Sequence, residues 1–372
     1  MRIAQIAPLM ESVPPRLYGG TERVVSYLTE ELVRMGHTVT LFASGDSTTS
    51  AELVSCVPVA LRLDDNIRDV IPYYMLMLDR VREAAGNFDI LHFHIEQFHF
   101  PVVRPLAGRT VTTLHGRQDL PDLKSLFAGF RDMPLVAISD AQRRLLPHAH
   151  IVSTIHHGLP VDRHAPCYEP RGGYLAFLGR IAPEKRPDRA IAIARGAGLP
   201  LKIAAKVDKA DRDYFRDVVA PLLGPDVEFV GEIADAAKSE FLGHALALLF
   251  PIDWPEPFGL SMIEAMACGT PVLAFRHGSV AEVVDEGVTG ITVDTLEEAQ
   301  AALPAVIALD RRRVRRRFEE RFSAARMAAD YLKVYRKLAR AAAPRRMVAD
   351  SRPGAIDPVP LAASGEAGLL QG

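Results

Sequence analysis

Phe250-Pro251-Ile252-Asp253-Trp254-Pro255-Glu256-Pro257-Phe258-Gly259-Leu260-Ser261-Met262-Ile263-Glu264-Ala265-Met266-Ala267-Cys268-Gly269-Thr270-Pro271-Val272 reads as a strand, a rigid loop, a helix, a stop and a second strand. Pro255 and Pro257 fix φ on both sides of Glu256, so that carboxylate is expected on a stiff turn. Gly259 allows the backbone to come close to a ligand. The helix after it aims unpaired N–H groups at whatever lies before it, an arrangement suited to an anion or to sugar hydroxyls. Glu264 falls in the second turn of that helix, near the same mouth. Either acid alone is equally well explained as a favourable charge near a helix N-terminus. Their joint spacing around the Pro-Glu-Pro-Phe-Gly loop argues for a binding site on a βα unit.

Outward from this stretch the same unit recurs. In the first half the expected strands are Ile3–Ala7, Thr38–Ala43, Ile90–His94, Thr110–Leu114, Val136–Ile138 and Ile151–Ile155. A helix over Thr21–Arg34, closed by Gly36, would bury Val24, Val25, Leu28 and Leu32 and turn Glu22, Glu30 and Glu31 to solvent. A second amphipathic stretch, Ile67–Ala85, is expected to cover the sheet. The proline- and glycine-bearing segment Asp162–Gly173 interrupts the rhythm and marks the boundary. The strands then resume at Tyr174–Leu178, Leu201–Ala205, Val227–Val230, Ala245–Phe250, Val272–Phe275 and Ile291–Val293. The fold class is therefore α/β, with two Rossmann-like parallel-sheet domains, 1–165 and 166–322, facing a cleft. Phe322, Met327, Tyr331 and Tyr335 recur at near-helical spacing, so a further helix is expected over 323–341. The Ala-, Pro- and Gly-rich segment 342–372 reads as a disordered tail.

Composition narrows the function. The 372 residues carry a formal net charge of −2 with 48% hydrophobic and 24% charged residues, which argues against a nucleic-acid partner. Three scattered cysteines exclude a disulfide framework and Cys-x-x-Cys zinc spacing, as expected for a cytoplasmic protein. No apolar run approaches the ~20 residues of a membrane span. No Gly-x-Gly-x-x-Gly follows the first strand, which disfavours a nicotinamide enzyme.

Glu256 and Glu264, with Cys268-Gly269-Thr270-Pro271-Val272 after them, resemble the Glu-x7-Glu region of glycosyltransferase family 4. Leu178-Gly179-Arg180 with Glu184-Lys185 is similar to that family's Gly-Arg…Glu-Lys element. Tyr18-Gly19-Gly20-Thr21-Glu22 is similar to its N-terminal glycine loop, and Thr113-Leu114-His115-Gly116 to its active-site histidine segment. The resemblance spans about 1–340. It implies a GT-B fold, in which the terminal helix over 323–341 packs back on the first domain, and a retaining, metal-independent transfer of a sugar from a nucleotide-diphosphate donor, the co-substrate, to an acceptor that the sequence leaves unidentified.

By that resemblance Arg180 and Lys185 neutralise the leaving diphosphate and Glu264 holds the ribose hydroxyls. Glu256 and the backbone N–H groups of Phe258, Gly259 and Leu260 hold the transferred sugar. His115 reaches it from across the cleft, and Gly19 and Gly20 admit a phosphate or the acceptor. Each role has an elementary rationale: charge developing on a departing diphosphate needs a metal or fixed cations. A sugar-nucleotide epimerase of the same fold, or a non-catalytic protein that binds a sugar nucleotide or an anionic surface, remains the alternative.

Other features have plainer readings. Nine of twelve histidines lie between His92 and His164, but without metal-ligand spacing they read as packed or cleft-lining side chains. His92 and His94 share one face of a strand, with His94 the expected cleft contact. Asp211-Arg212-Asp213 reads as a solvated helix start. Arg311–Arg317 holds six arginines in seven positions, a solvated helix face or a peripheral contact with an anionic membrane.

Overall fold

In the computed structural model, which describes residues 1–64 and 66–342, two all-parallel sheets follow one another along the chain. The first contains β1 (Arg2–Ile6), β2 (Thr38–Ser44), β3 (Glu52–Val57), β4 (Ile90–Phe93), β5 (Thr110–Thr113), β6 (Leu135–Ala137) and β7 (Ile151–Thr154), in the order β3-β2-β1-β4-β5-β6-β7. The second contains β8 (Leu175–Arg180), β9 (Leu201–Lys206), β10 (Val227–Gly231), β11 (Leu248–Phe250), β12 (Val272–Phe275) and β13 (Gly290–Val293), in the order β10-β9-β8-β11-β12-β13. Central parallel strands are covered on both faces, which is why they read as unbroken apolar runs such as Leu248–Phe250. Ile3 lies opposite Val39 and Ile90, and Leu248 opposite Val272 and Ala176.

The strand order reverses between β1 and β4 in one sheet and between β8 and β11 in the other. Loops leaving the carboxyl ends of strands at such reversals diverge and leave a crevice. One buried apolar cluster joins the two halves: Val24 and Leu28 of the first share it with Phe258, Met262 and Phe318 of the second, and with Tyr331 and Tyr335 of the last helix. That helix, Ala324–Ala342, packs against helix Gly20–Arg34 and β4. Leu159 pairs with Ser323, and its N–H donates to Phe322 O at 2.8 Å.

Several expectations are corrected. Strand β3 was not anticipated, because an edge strand in which only Val57 is fully buried lacks a long apolar run. The helix expected over Ile67–Ala85 is shorter, Ile71–Ala84, and buries only Tyr74, Met77, Leu78 and Val81. Glu22 is buried rather than solvent-facing, and Glu30 and Glu31 are half-buried. The arginine run is not a free cationic face either. Helix Arg311–Phe322 buries Arg311 and Arg315 in phase with Val314, Phe318 and Phe322. Arg311 donates to the carbonyls of Cys167, Gly243 and Ala245 and to Thr270 Oγ1, and Arg315 to those of Val161, His164 and Ala267. Arg312, Arg313 and Arg316 stay exposed. The tail expected over 342–372 lies outside the described residues, apart from Ala342 at the helix end.

Candidate active site

Ten of the candidate residues converge. A cleft of about 500 Å³ is lined by Gly19, Gly20 and His115 from the first half and by Arg180, Lys185, Glu256, Phe258, Gly259, Leu260 and Glu264 from the second. Gly19 and Gly20 follow the long connection after β1, and His115 follows β5. Arg180 and Lys185 end β8 and its loop, and the remainder follow β11. The cleft therefore occupies the carboxyl ends of both sheets. The N-termini of helices Gly20–Arg34 and Leu260–Ala267 approach one another across it: a Cβ on Gly20 would stand 3.4 Å from Leu260 Cδ1.

The Pro-Glu-Pro turn is held from behind. Gly278, at φ +57°, lies so close that a Cβ there would sit 2.3 Å from the N and O atoms of Glu256. Ser279 N–H donates to Glu256 O at 3.0 Å, and its hydroxyl to Phe258 O at 2.9 Å. Gly259, at φ +82°, caps the following helix with Phe250 against it. Asp253 N–H donates to Glu184 O at 2.8 Å, tying this loop to the one after β8.

The charged side chains are paired. Lys185 Nζ contacts Glu256 Oε2, which also accepts from Trp254 Nε1 at 2.9 Å. The same ammonium stands 4.6 Å from the centre of the Trp254 ring. Arg180 meets Glu184 at 2.6 Å, Asp208 at 3.4 Å and Asp211 at 3.9 Å. Asp211 stands at the start of helix Arg212–Tyr214 as expected, but its side chain is largely buried toward Arg180 and not solvated, whereas Asp213 is exposed and pairs with Arg216. Glu264 accepts from Lys238 at 2.6 Å. Burial pushes its carboxyl up, but Lys238, His164 and Arg23 outweigh this and hold it below the ordinary glutamate value.

His164, Asp235 and Glu264 bring potential ligand atoms within 4.8 Å of one another. However, Arg23, Arg163 and Lys238 approach Asp235 at 2.8, 2.5 and 3.4 Å, so cations already compensate these acids. The donor set is that of a salt-bridge network.

In the first half, His115 is held by its backbone. Glu96, at φ +53°, accepts from the N–H groups of His115 and Gly116 at 2.8 and 2.9 Å. Burial pushes the His115 imidazole down to about 3, so the ring is neutral. His94, the expected cleft contact, instead lies buried behind it, with Nδ1 2.9 Å from His115 Nε2.

The description "Glycosyltransferase Family 4" matches residues 18–159, and "Glycosyl transferases group 1" matches residues 169–322. The chain belongs to glycosyltransferase family 4. Phosphatidyl-myo-inositol mannosyltransferase of Mycolicibacterium smegmatis is 27% identical to this glycosyltransferase over 352 residues, 84% of this chain and 86% of that protein. D-inositol 3-phosphate glycosyltransferase of Mycobacterium leprae is 34% identical over 155 residues, 37% of this chain and 31% of that protein. Among solved structures, AviGT4, a glycosyltransferase involved in avilamycin A biosynthesis, superposes with a TM-score of 0.72 at 22% identity, covering 91% of this chain and 98% of that one. Anabaena HepE in complex with UDP and glucose gives 0.68 at 18% identity, covering 91% and 100%. The fold of this family-4 glycosyltransferase is thus GT-B.

Sequence reasoning missed several residues around this cleft. Glu96 carried one signal, an acid just past a strand end in His94-Ile95-Glu96. Lys238 and Gly278 carried none, because only the tertiary fold brings them to Glu264 and Glu256. Glu22 was assigned to the wrong surface: it lines the cleft, and burial raises its carboxyl to about 7.

Proposed function

We propose that this glycosyltransferase moves a hexose from a nucleoside-diphosphate sugar to an acceptor hydroxyl with retention of configuration and without a metal. The observation that carries the reading is the convergence of Arg180, Lys185, Glu256 and Glu264 on one cleft between two sheets. In this reading the C1–O bond to the diphosphate breaks as the acceptor oxygen bonds C1 from the same face. The acceptor proton passes to the departing phosphate oxygen. Arg180 and Lys185 stabilise the charge left on the diphosphate, Arg as a planar fork and Lys as a point charge. Glu264 receives ribose hydroxyls through the carboxylate oxygen that Lys238 does not take. Glu256, already bound by Lys185 and Trp254, orients the sugar with the N–H groups of Phe258, Gly259 and Leu260, and His115 meets the sugar from across the cleft.

Two relatives carry inositol in their names, so an inositol-bearing hydroxyl compound is the acceptor to assay first. No helix among the described residues is long and apolar enough to cross a membrane. The reading places the protein in the cytoplasm, with exposed Arg312, Arg313 and Arg316 available to anionic lipid headgroups.

The test is a donor screen across UDP-, GDP- and ADP-sugars, read by released diphosphate, with and without EDTA, and with the anomeric coupling of the product measured. Chelator-sensitive turnover would remove the metal-free claim, and an inverted product would remove the same-face mechanism. Without a melting-temperature rise in millimolar UDP, GDP or ADP, the cleft loses its nucleotide assignment, because a ligand bound by folded protein alone must stabilise it.

A further inference from the structure

Behind His115 runs a continuous buried chain of polar side chains that ends on the last helix. His115 Nε2 meets His94 Nδ1 at 2.9 Å, and His94 Nε2 meets Gln5 Oε1 at 2.7 Å. Gln5 Nε2 donates to Tyr335 OH at 3.1 Å, which in turn lies 2.6 Å from His92 Nδ1. His92 Nε2 meets Thr113 Oγ1 at 2.7 Å, and that hydroxyl meets Tyr331 OH at 2.8 Å. Gln5, His92, Thr113, Tyr331 and Tyr335 are fully buried, and His94 nearly so.

The chemistry of these groups makes the chain directional. A neutral imidazole has one N–H and one lone pair, and a primary amide has a donor end and an acceptor end. Burial holds His92, His94 and His115 neutral. With Gln5 Oε1 facing His94, the proton of His94 must lie on Nε2, and its Nδ1 is an acceptor. His115 must then carry its proton on Nε2. Its Nδ1 has no protein partner among the described residues and keeps a lone pair. At the other end, Tyr335 accepts from Gln5 and so donates its own proton to His92 Nδ1. His92 then donates from Nε2 to Thr113.

We infer that Tyr335, on the C-terminal helix, is a positioning residue that sets the tautomer of His115 through Gln5 and His94, leaving an acceptor nitrogen for a substrate hydroxyl. The inference rests on the reading that the transferred sugar meets His115. Reversing the Gln5 amide would reverse every bond in the chain and present a donor N–H at Nδ1 instead. In the structure the amide nitrogen of Gln5 is the end on Tyr335 and its oxygen the end on His94. The last helix thereby contributes to the site without touching the ligand.

The test uses the full chain labelled with 15N-histidine, with long-range 1H–15N correlations distinguishing protonated from bare ring nitrogens, and His115→Gln assigning the resonance. Wild type should show His92, His94 and His115 all protonated at Nε2. Tyr335→Phe and Gln5→Met should each release the constraint, so that His115 samples both tautomers. Where the two are equally populated, the competent half of the molecules binds donor and the apparent donor affinity falls about two-fold. Tyr331→Phe removes a buried hydroxyl from the same helix beyond His92 and should leave His115 unchanged. A proton on His115 Nδ1 in wild type, or an unchanged resonance in either Tyr335→Phe or Gln5→Met, overturns the inference. If one of those variants does not fold, the other decides. The measurement needs no substrate, so it can fail independently of the parent reading. That reading fails separately if saturating donor leaves the His115 resonance unmoved.

Discussion

Replacing Glu22 by Gln should stabilise the protein at pH 8 and have little effect at pH 5. Glu22 is the third residue of helix Gly20–Arg34, where the helix dipole ordinarily favours a carboxylate. Here burial dominates, with the side chain only 6% exposed. Its own backbone N–H, Arg62 and Arg23 pull back, Glu11 opposes them, and the carboxyl titrates at about 7 instead of 4.5. At about 1.36 kcal/mol per pH unit, this difference corresponds to a penalty of about 3 kcal/mol on the ionised form.

The sign follows from proton linkage. Below the unfolded value both states hold the proton, and the penalty vanishes. Between 4.5 and about 7 the folded state binds more protons, so stability falls as pH rises, and above that range the penalty is complete. Gln keeps the shape and removes the charge. In urea unfolding followed by far-UV circular dichroism, the variant should exceed wild type by about 3 kcal/mol at pH 8, narrowing to less than about 1 kcal/mol at pH 5. A gap that does not change between the two pH values, or a variant weaker than wild type at pH 8, would refute the assignment of Glu22 as a buried acid.

Other substitutions address the cations and their partners. Lys185→Ala should slow sugar transfer by about 10²–10³, the range for losing one fixed donor to developing charge, while circular dichroism shows the second domain still folded; a globally unfolded variant would make Lys185 structural. Glu264→Ala should weaken nucleoside-diphosphate binding by about 10-fold or more, as expected for a hydrogen bond to a charged group, and unchanged affinity in calorimetry would remove its ribose role. Arg311→Leu strands the carbonyls of Cys167, Gly243 and Ala245 and should cost at least ~2 kcal/mol of unfolding free energy, whereas Arg312→Ala should stay within ~0.5 kcal/mol. Equal effects would contradict the division of the arginine run into buried and exposed members.

Much of the fold was legible because central parallel strands and their covering helices leave strong local patterns, and the Pro-Glu-Pro-Phe-Gly loop is rigid by its own covalent chemistry. Arg311 and Arg315 were legible in principle: they lie on the same helical face as Val314, Phe318 and Phe322, a periodicity that the density of charge obscured. Glu22 could not be placed from its helix alone, since periodicity identifies which face points away from that helix's own sheet but not whether a second domain covers it. The pairings Lys185–Glu256 and Lys238–Glu264 span 71 and 26 residues and exist only once both loops are in place.

Those pairings bear on selectivity. Arg180, Lys185, Arg23 and Lys238 each face an acid within hydrogen-bonding distance, so an incoming anion does not meet bare positive charge. Binding exchanges partners. A simple anion that drew Lys185 away would leave Glu256, its side chain only 10% exposed, without its cation, and an uncompensated buried charge costs several kcal/mol. A nucleotide sugar can offer phosphate oxygens to the bases and hydroxyl donors to the released acids in the same event, so no buried group is stranded. The mutual neutralisation of acids and bases thus argues for a ligand carrying both anionic and hydroxyl-rich ends, and against tight binding of inorganic phosphate or pyrophosphate. On the proposed reading the same exchange favours the ordered Pro-Glu-Pro turn, because a mobile Glu256 could follow Lys185 to the phosphate and would no longer be held where that reading seats the sugar.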